Sequence, residues 1–128
     1  MRHLLDVNVL LALGHGAHPD HEKARHWFAS LPATDGLITC SITEIGFLRV
    51  SINARLASNL AEAKTVLAGL LSSPRFSRLN DDIGFDTLPA YVTKAAEITD
   101  GHLLALAHRH HAKLATLDVG IPGAELIR

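Results

Sequence analysis

The sequence predicts a single three-layer α/β/α domain, in which a central parallel sheet of four to five strands lies between helices. Its 128 residues match the commonest size of a compact domain, and 48% of them are apolar, which is enough for a buried core. Short apolar runs alternate along the chain with longer segments of helical periodicity. This alternation is typical of parallel strands joined by right-handed crossovers, so residues 1–128 are treated as one domain.

Turn and capping residues mark the predicted helices in order. Two glycines end the first helix, and apolar residues at helical spacing define the second. Capping boxes of the forms Ser-x-x-Glu and Asn-x-x-Glu begin the third and fourth, a proline opens the fifth, and a threonine caps the sixth. These patterns predict helices over Val7–Leu13, Pro19–Ser30, Ser41–Ala54, Asn59–Ser72, Pro89–Glu97 and Asp100–His111.

Short apolar runs between these helices predict the strands. The first run is expected to be buried, and Pro32 and Gly36 separate the second strand from the helix before it. The strands are predicted over His3–Asp6, Gly36–Cys40, Phe76–Leu79, Lys113–Leu117 and Glu125–Ile127. In a parallel sheet covered on both faces, the binding crevice lies at the carboxyl ends of such strands.

Four acidic residues fall where the predicted elements reach this edge of the sheet. Asp6 ends the first strand, and Asp118 directly follows a later one. Glu44 and Asp100 lie in the first turns of two helices. Strand carboxyl ends and the N-termini of the packed helices share one edge of an α/β sheet, so the four carboxylates are expected to meet there.

Each acid also has a structural explanation of its own. Asp6 can cap the first helix, Glu44 completes a capping box, Asp100 suits the positive end of a helix dipole, and Asp118 can open a turn. These explanations do not account for four anionic groups at one edge, where mutual repulsion raises carboxyl pKa values. A divalent cation such as Mg²⁺, which prefers carboxylate oxygens and water, relieves that repulsion.

Three stretches of the chain carry the acids in order: LLDVNVLLAL, SITEIGFLRV and ITDGHLLALAHRHHAKLATLD. Together they resemble the PIN-domain ribonucleases, most closely the VapC toxins of VapBC toxin–antitoxin pairs. The resemblance spans the chain and implies a PIN-like fold. It also implies a metal-dependent endoribonuclease that hydrolyses RNA phosphodiester bonds and is inhibited by its cognate antitoxin.

The resemblance implies roles for particular residues. Asp6, Glu44, Asp100 and Asp118 would form the catalytic and metal-binding set, with Asn8 and Thr116 as supporting polar residues. The cofactor would be Mg²⁺, for which Mn²⁺ can substitute. The segment VGIPG after Asp118 offers no further acid, so the choice between one and two ions stays open.

Two arginines of the predicted third helix, Arg49 and Arg55, are candidates to contact RNA phosphates. The alternative is that each is an ordinary solvated surface charge. The net charge of −1 argues against a protein that coats nucleic acid electrostatically.

The expected partners are an RNA substrate, a VapB-type antitoxin and a second copy in a homodimer, all three implied by the resemblance. No membrane association is expected, because no apolar run reaches 18 residues. The lone Cys40 fits a reducing cytoplasm.

Alternatives of other classes remain. A catalytically silent PIN-like module would bind RNA or protein without cleaving anything. A phosphate-receiving signalling domain would need a phosphorylatable aspartate at the end of a central strand, whereas the second strand here ends at Cys40. The spacing of His15, His18 and His21 invites a zinc hypothesis, which the glycine- and proline-containing loop between them disfavours.

Overall fold

A computed structural model describes all 128 residues and contains five strands and five α-helices. The strands are β1 (Arg2–Leu5), β2 (Gly36–Thr39), β3 (Phe76–Arg78), β4 (Lys113–Thr116) and β5 (Glu125–Leu126). The helices are α1 (Val7–Gly14), α2 (His21–Ser30), α3 (Ser41–Asn53), α4 (Leu60–Leu71) and α5 (Ile98–Arg109). None of these helices combines the length and the apolar character needed to cross a bilayer.

All five strands are parallel and lie in the order β3-β2-β1-β4-β5. The first strand is therefore central, with Leu4 paired to Ile38 of β2 on one side and to Leu114 of β4 on the other. From β1 the chain adds β2 and then β3 on one side of the sheet. It then returns through α5 and adds β4 and β5 on the other side. The carboxyl ends of β1 and β4 thus flank the point where strand order reverses, which is where α/β sheets bind ligands.

Side chains that alternate along the strands bury both faces of the sheet. Leu4 and Leu114 belong to one core cluster with α5, whereas Leu5 and Ala115 belong to a second cluster with the other helices. This alternation follows from the two-residue period of a strand. The five-stranded parallel sheet with helices on both faces confirms the predicted α/β/α architecture.

A buried histidine holds the amino end of the sheet. His3 is 2% exposed, and its ring nitrogens lie 2.8 Å from Asp35 Oδ2 and 2.6 Å from Glu125 Oε1. Both neighbours are carboxylate oxygens, so the ring links two acidic side chains. The contact joins β1, the residue before β2, and β5.

The helix predicted over Pro89–Glu97 is wrong. This segment contains turns and only a short 3₁₀ turn over Ala95–Glu97. The Glu97 carboxylate accepts hydrogen bonds from the backbone N–H groups of Thr93 (3.1 Å) and Lys94 (3.0 Å), which ends the loop immediately before α5. Helix α5 therefore begins at Ile98, two residues before the start of the helix predicted over Asp100–His111.

The predicted caps at the starts of two helices are also wrong. Thr99 lies within the first turn of α5 and does not cap it. The capping box of α3 joins Cys40 to Thr43, whose Oγ1 accepts from the Cys40 N–H at 3.0 Å, instead of joining Ser41 to Glu44. Glu44 is therefore not used in capping, and its carboxylate is available for tertiary contacts.

A glycine allows α3 to cross close to the start of α1. A Cβ on Gly46 would lie 2.7 Å from Val7 Cγ2, which is closer than packed atoms approach. Val7 directly follows Asp6, so this crossing sets the position of α3 relative to the end of the central strand. The valine side chain cannot easily move away, because β-branched residues in helices hold one rotamer.

Gly46→Ala is expected to lower the free energy of unfolding by about 1–3 kcal/mol, because overpacking at Val7 outweighs the higher helix propensity of alanine. The matched control is Gly69→Ala in α4, where a Cβ would meet nothing within 4 Å. That substitution should stabilise the protein by about 1 kcal/mol. Urea unfolding of both variants measures these changes in stability. Adding Val7→Ala to the Gly46→Ala variant should recover the stability that Gly46→Ala loses. Stabilisation by both alanines would contradict the close crossing.

Candidate active site

Polar side chains join the carboxyl ends of β1 and β4. Thr116 Oγ1 donates to Asp6 Oδ2 (2.7 Å) and accepts from the backbone N–H of Asp118 (3.0 Å). Asn8 Nδ2 lies 3.4 Å from the same hydroxyl, and Asn8 Oδ1 accepts from the Leu117 N–H (3.2 Å). Because the neighbouring N–H groups face the hydroxyl lone pairs, its single hydrogen is directed to Asp6.

Asp6 is a carboxylate buried at the end of the central strand, with an exposed fraction of 6%. Burial raises its pKa, and the nearby charge of Asp118 raises it further. Hydrogen bonds from Thr116 and from the Val7 N–H, which lies 2.7 Å from Oδ1, offset part of this shift. The Val7 contact also makes Asp6 the N-cap of α1. The capping explanation and a ligand role are therefore compatible.

Asp100 projects from the first turn of α5 toward the same edge. Burial, together with the charges of Asp6 and Asp118, raises the pKa of Asp100 to about 6. The structure thus brings three of the four sequence-predicted acids close enough to affect one another electrostatically. This is the repulsion expected from the positions of these residues in the sequence.

Glu44 differs from the three aspartates in having a cationic partner. Its carboxylate forms a two-pronged pair with Arg78, whose Nε lies 2.9 Å from Oε2 and whose Nη2 lies 2.8 Å from Oε1. The Thr39 hydroxyl also donates to Oε2 at 2.7 Å, and these contacts, led by the Arg78 hydrogen bond, lower the pKa of Glu44. Its charge is not among those that raise the pKa of Asp6 or Asp100.

Arg78 is a residue of this edge that the sequence interpretation missed. It ends β3 and pairs in register with Thr39 of β2, so both reach the edge that holds Glu44. Its position at the end of a predicted strand was a usable indication, because every strand of a parallel sheet ends at this edge. The local sequence does not indicate which acid it would pair with.

The chemistry of the three aspartates fits a hard divalent cation. Nowhere does the chain arrange three or more His, Cys, Asp or Glu side chains as a ready-made metal cage. Mg²⁺ needs only one or two carboxylates, because it retains several waters. Carboxylate oxygens provide that chemistry at Asp6, Asp100 and Asp118, and burial and repulsion raise the pKa values of Asp6 and Asp100.

The histidines of the zinc hypothesis do not form a metal site. His15 Nε2 lies 2.9 Å from Ser51 Oγ, and His21 Nδ1 lies 2.7 Å from the Ala12 carbonyl oxygen. His18 Nδ1 accepts from the Asp20 N–H at 3.0 Å. One ring nitrogen of each histidine is therefore used in a structural hydrogen bond, and the three do not form a group that could hold a metal ion.

A cleft of about 430 Å³ adjoins the acidic edge, and exposed Arg49 lies on its wall. Arg55 does not share this position. It lies beyond the end of α3, with a left-handed φ of 59°, so placing it on that helix was wrong. The lining residues of the cleft are Val7, Ser41, Ile42, Ile45, Gly46, Arg49 and Thr99.

The chain is similar to known proteins over nearly its whole length. The family described as PIN domain matches residues 3–124. The ribonuclease VapC38 of Mycobacterium tuberculosis (strain ATCC 25618 / H37Rv) is 41% identical over 123 residues, which cover 92% of this chain and 86% of that protein.

Two solved structures share the fold. VapC20 of Mycobacterium tuberculosis, described as a toxin that cleaves the sarcin-ricin loop, has a TM-score of 0.71 at 12% identity, covering 98% of this chain and 99% of its own. VapBC2 from Rickettsia felis, solved with a DNA fragment from their promoter, has a TM-score of 0.69 at 16% identity, covering 98% and 97%. At these identities the likeness concerns the architecture.

Asp100→Asn is expected to stabilise the metal-free protein at pH 7.5. The pKa of about 6 lies above the ordinary value of 3.8, so the folded state holds this proton more tightly and loses stability as pH rises through that range. The gain in unfolding free energy should be on the order of 1–2 kcal/mol. It is smaller than the full pKa shift of Asp100 implies, because the substitution also removes the favourable interaction of the Asp100 charge with the helix dipole.

Urea unfolding between pH 4 and pH 8 measures this gain, which should shrink toward zero at the acid end. Asp86→Asn, at an exposed position of the short 3₁₀ turn Phe85–Thr87, is the matched control and should change little at any pH. An Asp100→Asn protein less stable than the parent at pH 7.5 would show that repulsion does not dominate at this residue.

Thr116→Val is expected to lower the unfolding free energy by about 1–3 kcal/mol, because it leaves Asp6 Oδ2 and the Asp118 N–H without their partner. The pKa of Asp6 should rise further, which carboxyl ¹³C NMR can follow. Thr116→Ser retains the hydroxyl and is the matched control. Equal stability of the Val and Ser variants would argue against the hydroxyl as the stabilising group.

Proposed function

The chain belongs to the PIN-domain family and to its VapC group, and on this basis we propose that it is a metal-dependent endoribonuclease acting as the toxin of a toxin–antitoxin pair. The observation that carries the proposal is the convergence of three aspartates from separate elements at the reversal point of the sheet. The raised pKa values of Asp6 and Asp100, which burial and the repulsion of nearby carboxylates cause, support this proposal. The name of the relative VapC38, a ribonuclease, supports RNA as the substrate.

Asp6, Asp100 and Asp118 would hold Mg²⁺, or Mn²⁺ in its place. Such an ion supplies charge stabilisation at the scissile phosphate and lowers the pKa of a bound water. The Thr116 hydroxyl orients one oxygen of Asp6 through the 2.7 Å hydrogen bond. Asn8 contacts the same hydroxyl. Second contacts of this kind orient ligating carboxylates.

Asp118 is better placed than Glu44 to accept a proton from the attacking water. Asp118 is exposed, and only its Oδ1 has a partner, the Gly120 N–H at 2.8 Å. Glu44 has both oxygens bonded, and Arg78 lowers its pKa. We therefore assign proton removal to Asp118 Oδ2. Glu44 would then contribute through the one lone pair left on Oε1, directly or through water.

The cleft beside the acids is the proposed path of the RNA. Arg49 on its wall is the proposed phosphate contact, since a guanidinium matches phosphate oxygens in two-pronged geometry. Arg55 is the weaker candidate, because it lies beyond the far end of α3 from Glu44. The 13 residues of that helix span about 20 Å.

A VapB-type antitoxin and a second copy of the chain are the proposed protein partners. The structural relative from Rickettsia felis is a VapBC2 assembly. Exposed apolar side chains next to the cleft offer surface for such contacts: Ile45 is 58% exposed, Ile98 48% and Phe85 88%.

A catalytically silent module is the second candidate. It is favoured by the absence of a ready-made group of three metal-binding side chains. The two candidates differ in a direct measurement, because a silent module would neither bind Mn²⁺ at the aspartates nor cleave RNA. The signalling-domain alternative has no support, since the chain matches the PIN-domain family over residues 3–124.

The parent protein is expected to cleave members of an RNA panel with Mg²⁺ or Mn²⁺ present and to stop when EDTA removes the ion. Asp6→Asn and Asp100→Asn should each lower the rate more than about 100-fold, since each removes a charged ligand. Asp86→Asn is the control and should retain the parental rate. Denaturing gels of the labelled RNAs measure the cleavage.

Glu44→Gln and Arg78→Gln separate the assignments within this site. Loss of activity in Glu44→Gln alone would assign a direct role to Glu44, and loss in both would show that the pair acts as a unit. Cleavage that survives EDTA, or that is undiminished in both aspartate variants, would overturn the proposed function.

A further inference from the structure

The single tyrosine of the chain has an unusual hydroxyl. Tyr91 Oη is buried and has no hydrogen-bond partner, and it is the only buried side-chain nitrogen or oxygen in the chain without one. Its ring packs against the core cluster that contains α5. A buried unpaired hydroxyl is unfavourable, so native proteins retain one mainly where it has a further use.

The hydroxyl lies on the first turn of α5, next to the acidic edge. A Cβ on Gly101 would lie 2.3 Å from Val92 Cγ2, 3.4 Å from Pro89 Cδ and 3.6 Å from Tyr91 Oη. Only glycine permits the 89–92 segment to pack this tightly against the residue that follows Asp100. The segment is therefore fixed to the helix turn that presents the Asp100 carboxylate.

Of the nearby charges, that of Asp100 acts most strongly on the Tyr91 hydroxyl. Burial raises the pKa of Tyr91, and Asp100, Glu97 and Asp118 raise it further, with Asp100 first among the charges. Glu97 Oε1 already accepts two backbone N–H groups. No hydrogen bond contributes to the pKa of Asp100. A hydroxyl without an acceptor thus packs against the helix turn that carries a carboxylate without a donor.

We propose that Tyr91 is a positioning residue of the acidic site, whose hydroxyl donates a hydrogen bond to the Asp100 carboxylate when that carboxylate binds a divalent cation. The other carboxylate of the edge, Asp6, already has such a donor in Thr116. The inference rests on the cation binding included in the proposed function, but it concerns affinity and not cleavage.

Calorimetric titration with Mn²⁺ in the absence of RNA tests the proposal. Tyr91→Phe, which keeps the ring, should weaken Mn²⁺ binding about tenfold, as loss of a hydrogen bond to a ligating carboxylate typically does. Its metal-free stability should be equal or higher, because an unpaired buried hydroxyl is removed. Thr93→Val removes an exposed hydroxyl from the same loop and is the control, with parental affinity expected.

Fluorine NMR provides a second readout that a merely structural tyrosine would not change. Because the chain has one tyrosine, 3-fluorotyrosine labels Tyr91 alone. Its resonance should shift saturably with Mg²⁺ in the parent protein and stay unchanged in Asp100→Asn.

The outcomes separate the two proposals. Equal Mn²⁺ affinity in Tyr91→Phe and the parent overturns the role of Tyr91 and leaves the proposed function standing. Tenfold weaker binding in a protein that cleaves no RNA supports Tyr91 while overturning the nuclease. A parent protein that binds no Mn²⁺ overturns both.

Discussion

The hydrogen bond from Thr116 to Asp6 is the contact on which the arrangement of the acidic edge depends. It joins the central strand to β4 at 2.7 Å and satisfies a carboxylate that is almost wholly buried. The hydroxyl can donate in only this direction, because Asp118 and Asn8 approach it with N–H groups. The same atom therefore orients Asp6, fixes the backbone of Asp118 and connects the strands between which the sheet order reverses.

Two close backbone approaches prevent the acidic edge from relaxing its own repulsion. Gly46 lets α3 rest on Val7, and Gly101 lets the 89–92 segment rest on the first turn of α5. With these elements held by the core, Asp6 and Asp100 stay buried near other carboxylates, and burial and repulsion together raise their pKa values. Packing elsewhere in the domain thus supports an edge that is unfavourable by itself, which is common at functional sites.

The sequence predicted what depends on local periodicity and not what depends on tertiary contacts. The strand positions, and hence the convergence of Asp6 and Asp118, followed from short apolar runs between helices. The pairing of Glu44 with Arg78 did not, because it needs the register between β2 and β3. The segment from Pro89 was predicted as a helix because its proline resembled a helix start. The Glu97 carboxylate instead captures the N–H groups of Thr93 and Lys94, a choice that propensity does not reveal.

The division of the four acids into three repelling aspartates and one paired glutamate limits how many cations the edge attracts. The aspartates carry charge that nothing in the chain neutralises, whereas Glu44 is held by Arg78 and is only 13% exposed. A first divalent ion at the aspartates relieves repulsion and meets no competitor. A second ion near Glu44 would find only one lone pair of that carboxylate free while Arg78 is paired to it, and the segment after Asp118 contains no further carboxylate to share it. For the proposed cation binding, this arrangement therefore favours one ion over two for as long as Arg78 holds Glu44.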